Sequence, residues 1–392
     1  IILGGAILVM PIGYYFTNRE GAQTAEYYAI MLFSLVGALM LTTFENMIML
    51  FVGVETLSIS MYILAGSDKR NIKSNEAALK YFLMGAFATG ILLFGIALLY
   101  GATGSFFISD FSKYLSQTDT PSAAMAYTGL FLIMGGLLFK VGAAPFHFWT
   151  PDVYEGSPSF FTAYMATVVK TATVAALFKM FVVSFAPGAE VWWYTMYYAV
   201  IASLLIGNMA AVAQSGFKRM MAYSSISHAG YMLMAVLVLN EAAFQSLAFY
   251  AVVYTLASVV AFAVLILVSQ VRENDNFISF NGLAKSNPVL AILLTLAMLS
   301  MAGIPLTAGF FGKFFIFSAV LSKGYIWILI IAILMSAVGV YYYFRVIINM
   351  FFKVGEGMER IALPAPLAIS LYAGSLLILA LGIYPDLLFR YL

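Results

Sequence analysis

Five lysines, Lys80, Lys140, Lys170, Lys179 and Lys313, lie inside long apolar runs of this sequence, together with Glu55 and His228. A charge at the centre of a hydrocarbon layer costs about 2.5–3.5 kcal/mol even on insertion scales, so each needs a reason to be there. Glu55 stands near the middle of its run. Lys140 closes a run just before Gly142-Ala-Ala-Pro145, and Lys170 follows about thirteen residues into the next. Lys313 comes after Gly303-Ile-Pro-Leu-Thr-Ala-Gly309, and His228 is central in a run of its own. Burial disfavours a charged ammonium, and a nearby carboxylate favours it. A lysine held between those influences can load and release a proton, with its neighbour's charge deciding when. That is the requirement for a proton relay rather than a static pore.

Plainer roles compete for the same residues. Lys80 and Lys179 sit nearer the ends of their runs, where a long side chain carries its ammonium to the interface, so snorkelling and relay stand level for them. For Lys140, Lys170 and Lys313 the depth and the adjacent breaks favour the relay. Glu55 also suits a structural partner of one lysine, and His228 a hydrogen-bonded packing residue.

The elements that hold these residues are membrane spans. The 392 residues are 63% hydrophobic and 9% charged, whereas a soluble domain carries about a quarter charged residues. The apolar excess must face lipid. Runs of about 20 apolar residues, the length that crosses a bilayer, occur near 1–16, 26–43, 45–66, 74–101, 126–146, 157–185, 191–213, 217–239, 241–270, 287–320, 325–352 and 364–389. The expected fold is an all-α integral membrane protein of about 12 transmembrane helices. Net charge of +2 gives no footing for nucleic acid or an acidic substrate. Without Cys, iron–sulfur ligation, thiol catalysis and disulfides are excluded on this chain. A bis-His haem would need both His147 and His228, one at a span end and one at mid-depth, which argues against it. No metal cluster or nucleotide loop is evident. Ile1 lies within an apolar stretch, so the start reads as truncated rather than as a signal peptide.

Loop charge gives an orientation. With the Asp68–Lys73 loop in the cytoplasm, that side collects Arg19, Lys69, Arg70, Lys73, Lys218, Arg219, Arg272, Lys285, Arg345, Lys353 and Arg360. The other side receives Lys113, Lys323 and Arg390. Eleven against three is a strong positive-inside bias, and it places both ends of the chain outside the cytoplasm. The chain also divides into a helix and loop (1–25), a five-helix set (26–185), a second five-helix set (191–353) and a final helix (364–392). Five being odd, the second set would be inverted relative to the first, and the fourth helix of each carries a break, at Pro145 and Pro305. Paired broken helices in inverted repeats place a transport pathway at the repeat interface. Between the two breaks, Asp152 and Glu155 suit the N-terminal dipole of the following helix. They also suit the mouth of a proton path, and capping is the simpler expectation.

The residues also carry a resemblance. Phe139-Lys140-Val-Gly-Ala-Ala-Pro-Phe-His147-Phe-Trp-Thr-Pro-Asp152-Val-Tyr-Glu155-Gly resembles the broken-helix motif of the antiporter-like subunits of respiratory complex I (NADH–quinone oxidoreductase). The Phe-Trp-Thr-Pro-Asp-Val-Tyr-Glu-Gly wording is most similar to the subunit N branch, rather than its L and M relatives. Val54-Glu55-Thr-Leu-Ser, Ala78-Leu-Lys80-Tyr-Phe, Tyr223-Ser-Ser-Ile-Ser-His228 and Gly303-Ile-Pro-Leu-Thr-Ala-Gly-Phe-Phe-Gly-Lys313 continue it, from about residue 26 onward. One departure is Gly156-Ser-Pro-Ser-Phe-Phe-Thr162, where the family more often has Pro-Thr-Pro. The resemblance implies fourteen helices with two inverted five-helix repeats. It implies that Glu55 and Lys140 form a glutamate–lysine pair, that Lys170 is the central relay lysine, and that Lys313 ends the second half-channel. Lys80 would be an accessory lysine and His228 a polar link. FMN, iron–sulfur clusters and quinone would lie on other subunits, with none on this chain. Expected partners are the neighbouring antiporter-like subunit M, the small subunit K, lipid and protons, in a bacterial inner membrane. The rivals are a subunit of a cation/proton antiporter, a ferredoxin- or hydrogenase-linked relative, and a scaffold without transport.

Overall fold

The computed structural model describes residues 1–20, 24–117, 122–272, 274–355 and 360–392, with backbone alone for 16–20 and 24. Arg19 of the charge count therefore lies outside the described side chains. Helices run in the order α1 (Ile2–Glu20), α2 (Thr24–Thr43), α3 (Met47–Ala65), α4 (Ile72–Thr103), α5 (Ile108–Leu115), α6 (Ala123–Val141), α7 (Trp149–Gly156), α8 (Ser159–Tyr164), α9 (Lys170–Val183), α10 (Ala189–Val212), α11 (Phe217–Val238), α12 (Glu241–Arg272), α13 (Leu283–Ser286), α14 (Pro288–Ala302), α15 (Ala308–Ser322), α16 (Ile326–Phe352), α17 (Ala365–Ile383) and α18 (Asp386–Phe389). No strand occurs among the described residues. Among the described residues, ten helices are long and apolar enough to cross a membrane, and α14, α15 and Ile2–Tyr15 are shorter apolar helices. Each of the apolar runs in the sequence contains a helix, and the run at 287–320 is divided into α14 and α15.

Burial separates an inner group from an outer ring. α11 and α12 are buried along almost their whole length, and most of α8–α9 is as well. The outer helices α2, α4, α10 and α16 leave Phe33, Phe87, Tyr198 and Ile333 exposed, as lipid-facing side chains should be. Close approach in this bundle depends on small residues, as at Gly95 of α4, whose added Cβ would stand 2.7 Å from the carbonyl oxygen of Gly129 in α6.

Two breaks interrupt the helices in the same way. α6 ends where Gly142 adopts φ +76°, its N–H reaching the carbonyls of Leu138 and Phe139. α14 ends where Gly303 adopts φ +83°, its N–H reaching Leu299 and Ser300. Glycine enters this left-handed region without the Cβ penalty of other residues, which is why both breaks fall there. The freed backbone groups find partners inside the protein, as a low-dielectric interior demands. At the first break, Ala144 donates to Ser203 Oγ at 2.8 Å and Trp149 Nε1 to the Phe139 carbonyl at 2.9 Å. At the second, Lys313 Nζ donates to the carbonyl of Ala302, the last residue of α14, at 2.9 Å.

Asp152 and Glu155 do not cap a helix. α8 has no side-chain cap, and both carboxylates turn outward to basic side chains of α4 and α11. Charge-assisted pairs from two neighbouring helices outcompete a helix dipole, whose contribution is about 0.3–1 kcal/mol.

Candidate functional site

Three of the buried lysines make no ion pair within 4.0 Å among the described residues. Lys140, in the last turn of α6, is buried and donates to Ser58 Oγ of α3 at 2.7 Å and to Tyr81 OH of α4 at 3.3 Å. Lys170, the first residue of α9, is held by the carbonyl and the hydroxyl of Ser225 in α11. Lys313 of α15 donates to Ser336 Oγ at 2.8 Å as well as to Ala302. Among the described residues no carboxylate lies within 4.0 Å of any of the three ammonium groups.

Hydroxyls and rings fill the space between them. Tyr81, the partner of Lys140, stacks on Trp149 at 4.5 Å, and Tyr154 of the same short helix α7 approaches Ser225 Oγ to 3.3 Å. Lys170 and His228 both face the ring of Tyr254, at 5.7 and 4.8 Å. His228 is buried, with Nδ1 2.7 Å from Tyr250 OH and Nε2 3.0 Å from Tyr343 OH. Tyr343 in turn bonds the Ser224 hydroxyl. His228, Tyr250, Tyr254, Ser300 and Lys313 line one small cavity, in which the Ser300 hydroxyl has no protein partner. A π-helical turn, Met165–Val169, immediately precedes Lys170. Such turns widen a helix and free backbone groups, and they recur at functional sites.

The remaining expected residues fall elsewhere. Glu55 is half-buried on α3, one turn before Ser58, and makes no ion pair within 4.0 Å. It is therefore linked to Lys140 through a shared helix rather than by direct contact. Lys80 is 39% exposed and pairs with Glu76 and Asp152, each at 2.7 Å. α4 has 32 residues, about 48 Å at 1.5 Å per residue, longer than a hydrocarbon core of about 30 Å. Lys80 thus belongs to a charged basin near one face, with Lys73, Glu76, Asp152, Glu155 and Arg219. Lys179 pairs with Glu45 at 3.1 Å.

A family model, NADH:quinone oxidoreductase/Mrp antiporter, TM, matches residues 45–356. The chain belongs to this family. NADH-quinone oxidoreductase subunit N of Trichlorobacter lovleyi is 41% identical over 393 residues, which is 100% of this chain and 81% of that protein. Among solved structures, a chain in respiratory complex I from Thermus thermophilus with bound aureothin is 38% identical, with a TM-score of 0.81 over 93% of this chain and 79% of that one. A chain of the Mrp complex from Dietzia sp., 20% identical with a TM-score of 0.86 over 98% of this chain and 80% of that one, shares the fold. The identities place the chain in the subunit N branch as a multi-pass membrane protein.

In this subunit N relative, sequence reasoning missed Ser58, Tyr81, Ser225, Tyr250, Ser336 and Tyr343. Ser225 had a signal, since Ser224, Ser225 and Ser227 cluster just before His228 in the middle of a membrane-length run. The tyrosines had none, being a few among 25. Lys218 was counted as a loop charge. It is buried at the start of α11, with Nζ 2.6 Å from the Ser157 carbonyl.

Proposed function

We propose that this chain is a proton-translocating membrane-arm subunit of an NADH–quinone oxidoreductase, moving protons along Glu55, Lys140, Lys170, His228 and Lys313 while redox chemistry proceeds on other subunits. One observation carries the reading. Lys140, Lys170 and Lys313 are buried against hydroxyls, carbonyls and aromatic rings, with no ion pair within 4.0 Å among the described residues, whereas Lys80 and Lys179 are ion-paired. A lysine locked to a carboxylate is a structural ion; one solvated only by neutral groups can exchange its proton with a change of neighbouring charge. A change of charge at Glu55 acts on Lys140 through a low-dielectric interior, and each lysine then acts on the next.

The rest of the proposal extends the same reading. The chain forms two inverted five-helix repeats, 26–185 and 191–353, with the flanking helices at 1–25 and 364–392. It sits beside subunits M and K in a bacterial inner membrane, with the loop-rich positive face in the cytoplasm and both chain ends opposite. FMN, iron–sulfur clusters and quinone belong to other subunits. The subunit N identities favour this reading over a cation/proton antiporter, whose resemblance here is one of fold.

The test is Lys170→Ala in membranes holding the assembled complex, with proton pumping and NADH–quinone turnover measured together. Both are expected to fall sharply. Normal pumping and turnover in an assembled variant would make Lys170 a structural lysine and end the proposal.

A further inference from the structure

The charged basin and the buried row meet at α7 and the first turn of α11, and the group between them is Lys218. Arg219 points to the basin, pairing with Asp152 at 3.0 Å and Glu155 at 2.8 Å. Lys218, its neighbour in sequence, points inward. It is 7% exposed, and among the described residues its one protein acceptor is the Ser157 carbonyl and it makes no ion pair within 4.0 Å. The Ser157 hydroxyl is buried without a protein partner. An unpartnered buried hydroxyl beside a buried ammonium marks a place for water. Outward lies the basin, a cavity of about 170 Å³ bounded by Lys73, Glu76, Lys80, Asp152, Glu155 and Arg219, room for about five waters at roughly 30 Å³ each.

Inward, Lys218 and Ser225 are seven residues apart on α11, so they share a face about 10 Å apart along the axis. Ser225 holds Lys170, and Tyr154 of α7 reaches Ser225. The charges that act on Lys218 come from Asp275 ahead of Phe277, Glu155 of α7 and Lys73 of α4, and Arg219 is its neighbour on α11.

We propose that Lys218 is the loading group through which Lys170 exchanges protons with the water of the Asp152–Glu155–Arg219 basin. Lys218 Nζ takes one proton from basin water and gives one up inward, by way of bridging water and the Ser225 and Tyr154 hydroxyls, to the free amine of Lys170. Lys218 is left as an amine, ready for the next proton. This rests on the relay reading of Lys170.

The test uses the whole complex in its membrane. Lys218→Arg keeps the charge and a donor for Ser157 but does not release a proton at working pH. With assembly intact, turnover and pumping are expected to fall by about tenfold or more. Lys218→His, which titrates near neutrality, is expected to regain activity with its optimum displaced to lower pH. Wild-type turnover and pumping in Lys218→Arg overturn the inference, and so does a Lys218→His profile that matches wild type. Should Lys218→Arg fail to assemble, Lys218→Gln keeps a donor without an exchangeable charge, and wild-type activity there overturns the inference equally. Lys170→Ala in the same membranes separates the two readings. Impaired Lys170→Ala beside normal Lys218→Arg removes the loading role alone, and normal Lys170→Ala removes the relay as well.

Discussion

Gly156→Ala tests whether the seating of α7 sets the relay geometry. Gly156 ends α7 where it crosses α4, and a Cβ there would strike the Lys73 carbonyl oxygen, with the Ala77 Cβ at 2.6 Å and the Lys73 carbonyl carbon at 3.1 Å. Backbone cannot swing aside as a flexible side chain can, so α7 must shift by about 1 Å to restore ordinary contact. Tyr154 OH stands 3.3 Å from Ser225 Oγ. A shift of that size takes this contact outside hydrogen-bond geometry in either direction, by clash or by separation. Overpacking of this kind costs about 1–3 kcal/mol, within reach of a folded chain, while misplacement of 1 Å can slow chemistry by about 100-fold. The expected outcome is an assembled complex whose NADH–quinone turnover and pumping fall together by about tenfold or more. Adding Ala77→Gly removes one of the clashes but leaves the carbonyl, so it should recover part of the loss. Assembly is read from native gels and pumping from a pH-sensitive dye in sealed vesicles. An assembled Gly156→Ala complex with wild-type turnover would show that the relay does not depend on where α7 sits.

Two further outcomes follow from the separation of the lysines. Lys80→Met leaves Asp152 paired with Arg219, so its effect on turnover should stay within about threefold, as for an exposed pair. Lys140→Met removes a buried carrier and should cost about tenfold or more; turnover measured on both variants in one membrane preparation with the opposite ranking would refute the division between basin and row. The second outcome concerns pH. Burial opposes ionisation of Asp152, but Lys80 and Arg219 outweigh it and hold the carboxyl below the usual aspartate value. Arg219 and Lys73 do the same for Glu155. A carboxyl depressed by folding stabilises the fold above its unfolded value and loses that contribution as pH falls through its folded value. Thermal stability should therefore hold from neutral pH down to the ordinary carboxylate range and decline below it, with a shallower decline in Asp152→Asn. Melting curves for the two proteins that stay parallel as pH falls would count against the basin pairs.

Run length and breaks were legible in the sequence because each is a local property. Twenty apolar residues span a bilayer whatever surrounds them, and a Gly-Ala-Ala-Pro or Gly-Ile-Pro run ends a helix through its own backbone preferences. The burial of Lys140, Lys170, Lys313 and His228 agrees with their places along those runs. Which way a side chain points around its helix was not legible, because α3, α4 and α11 show no one-sided apolar stripe to orient them. Lys80, expected within a span, therefore proved to face the charged basin, and Lys218, counted with the loops, proved to be buried beside Ser157. Asp152 and Glu155 found Lys73, Lys80 and Arg219 rather than a helix end. Partners such as Ser225 for Lys170 and Tyr343 for His228 stand 55 and 115 residues away. The sequence set which helix carries each charge and where along it; only the packing of distant helices decided whether a carboxylate or a hydroxyl would meet it there, and that choice separates a structural ion pair from a group free to pass on a proton.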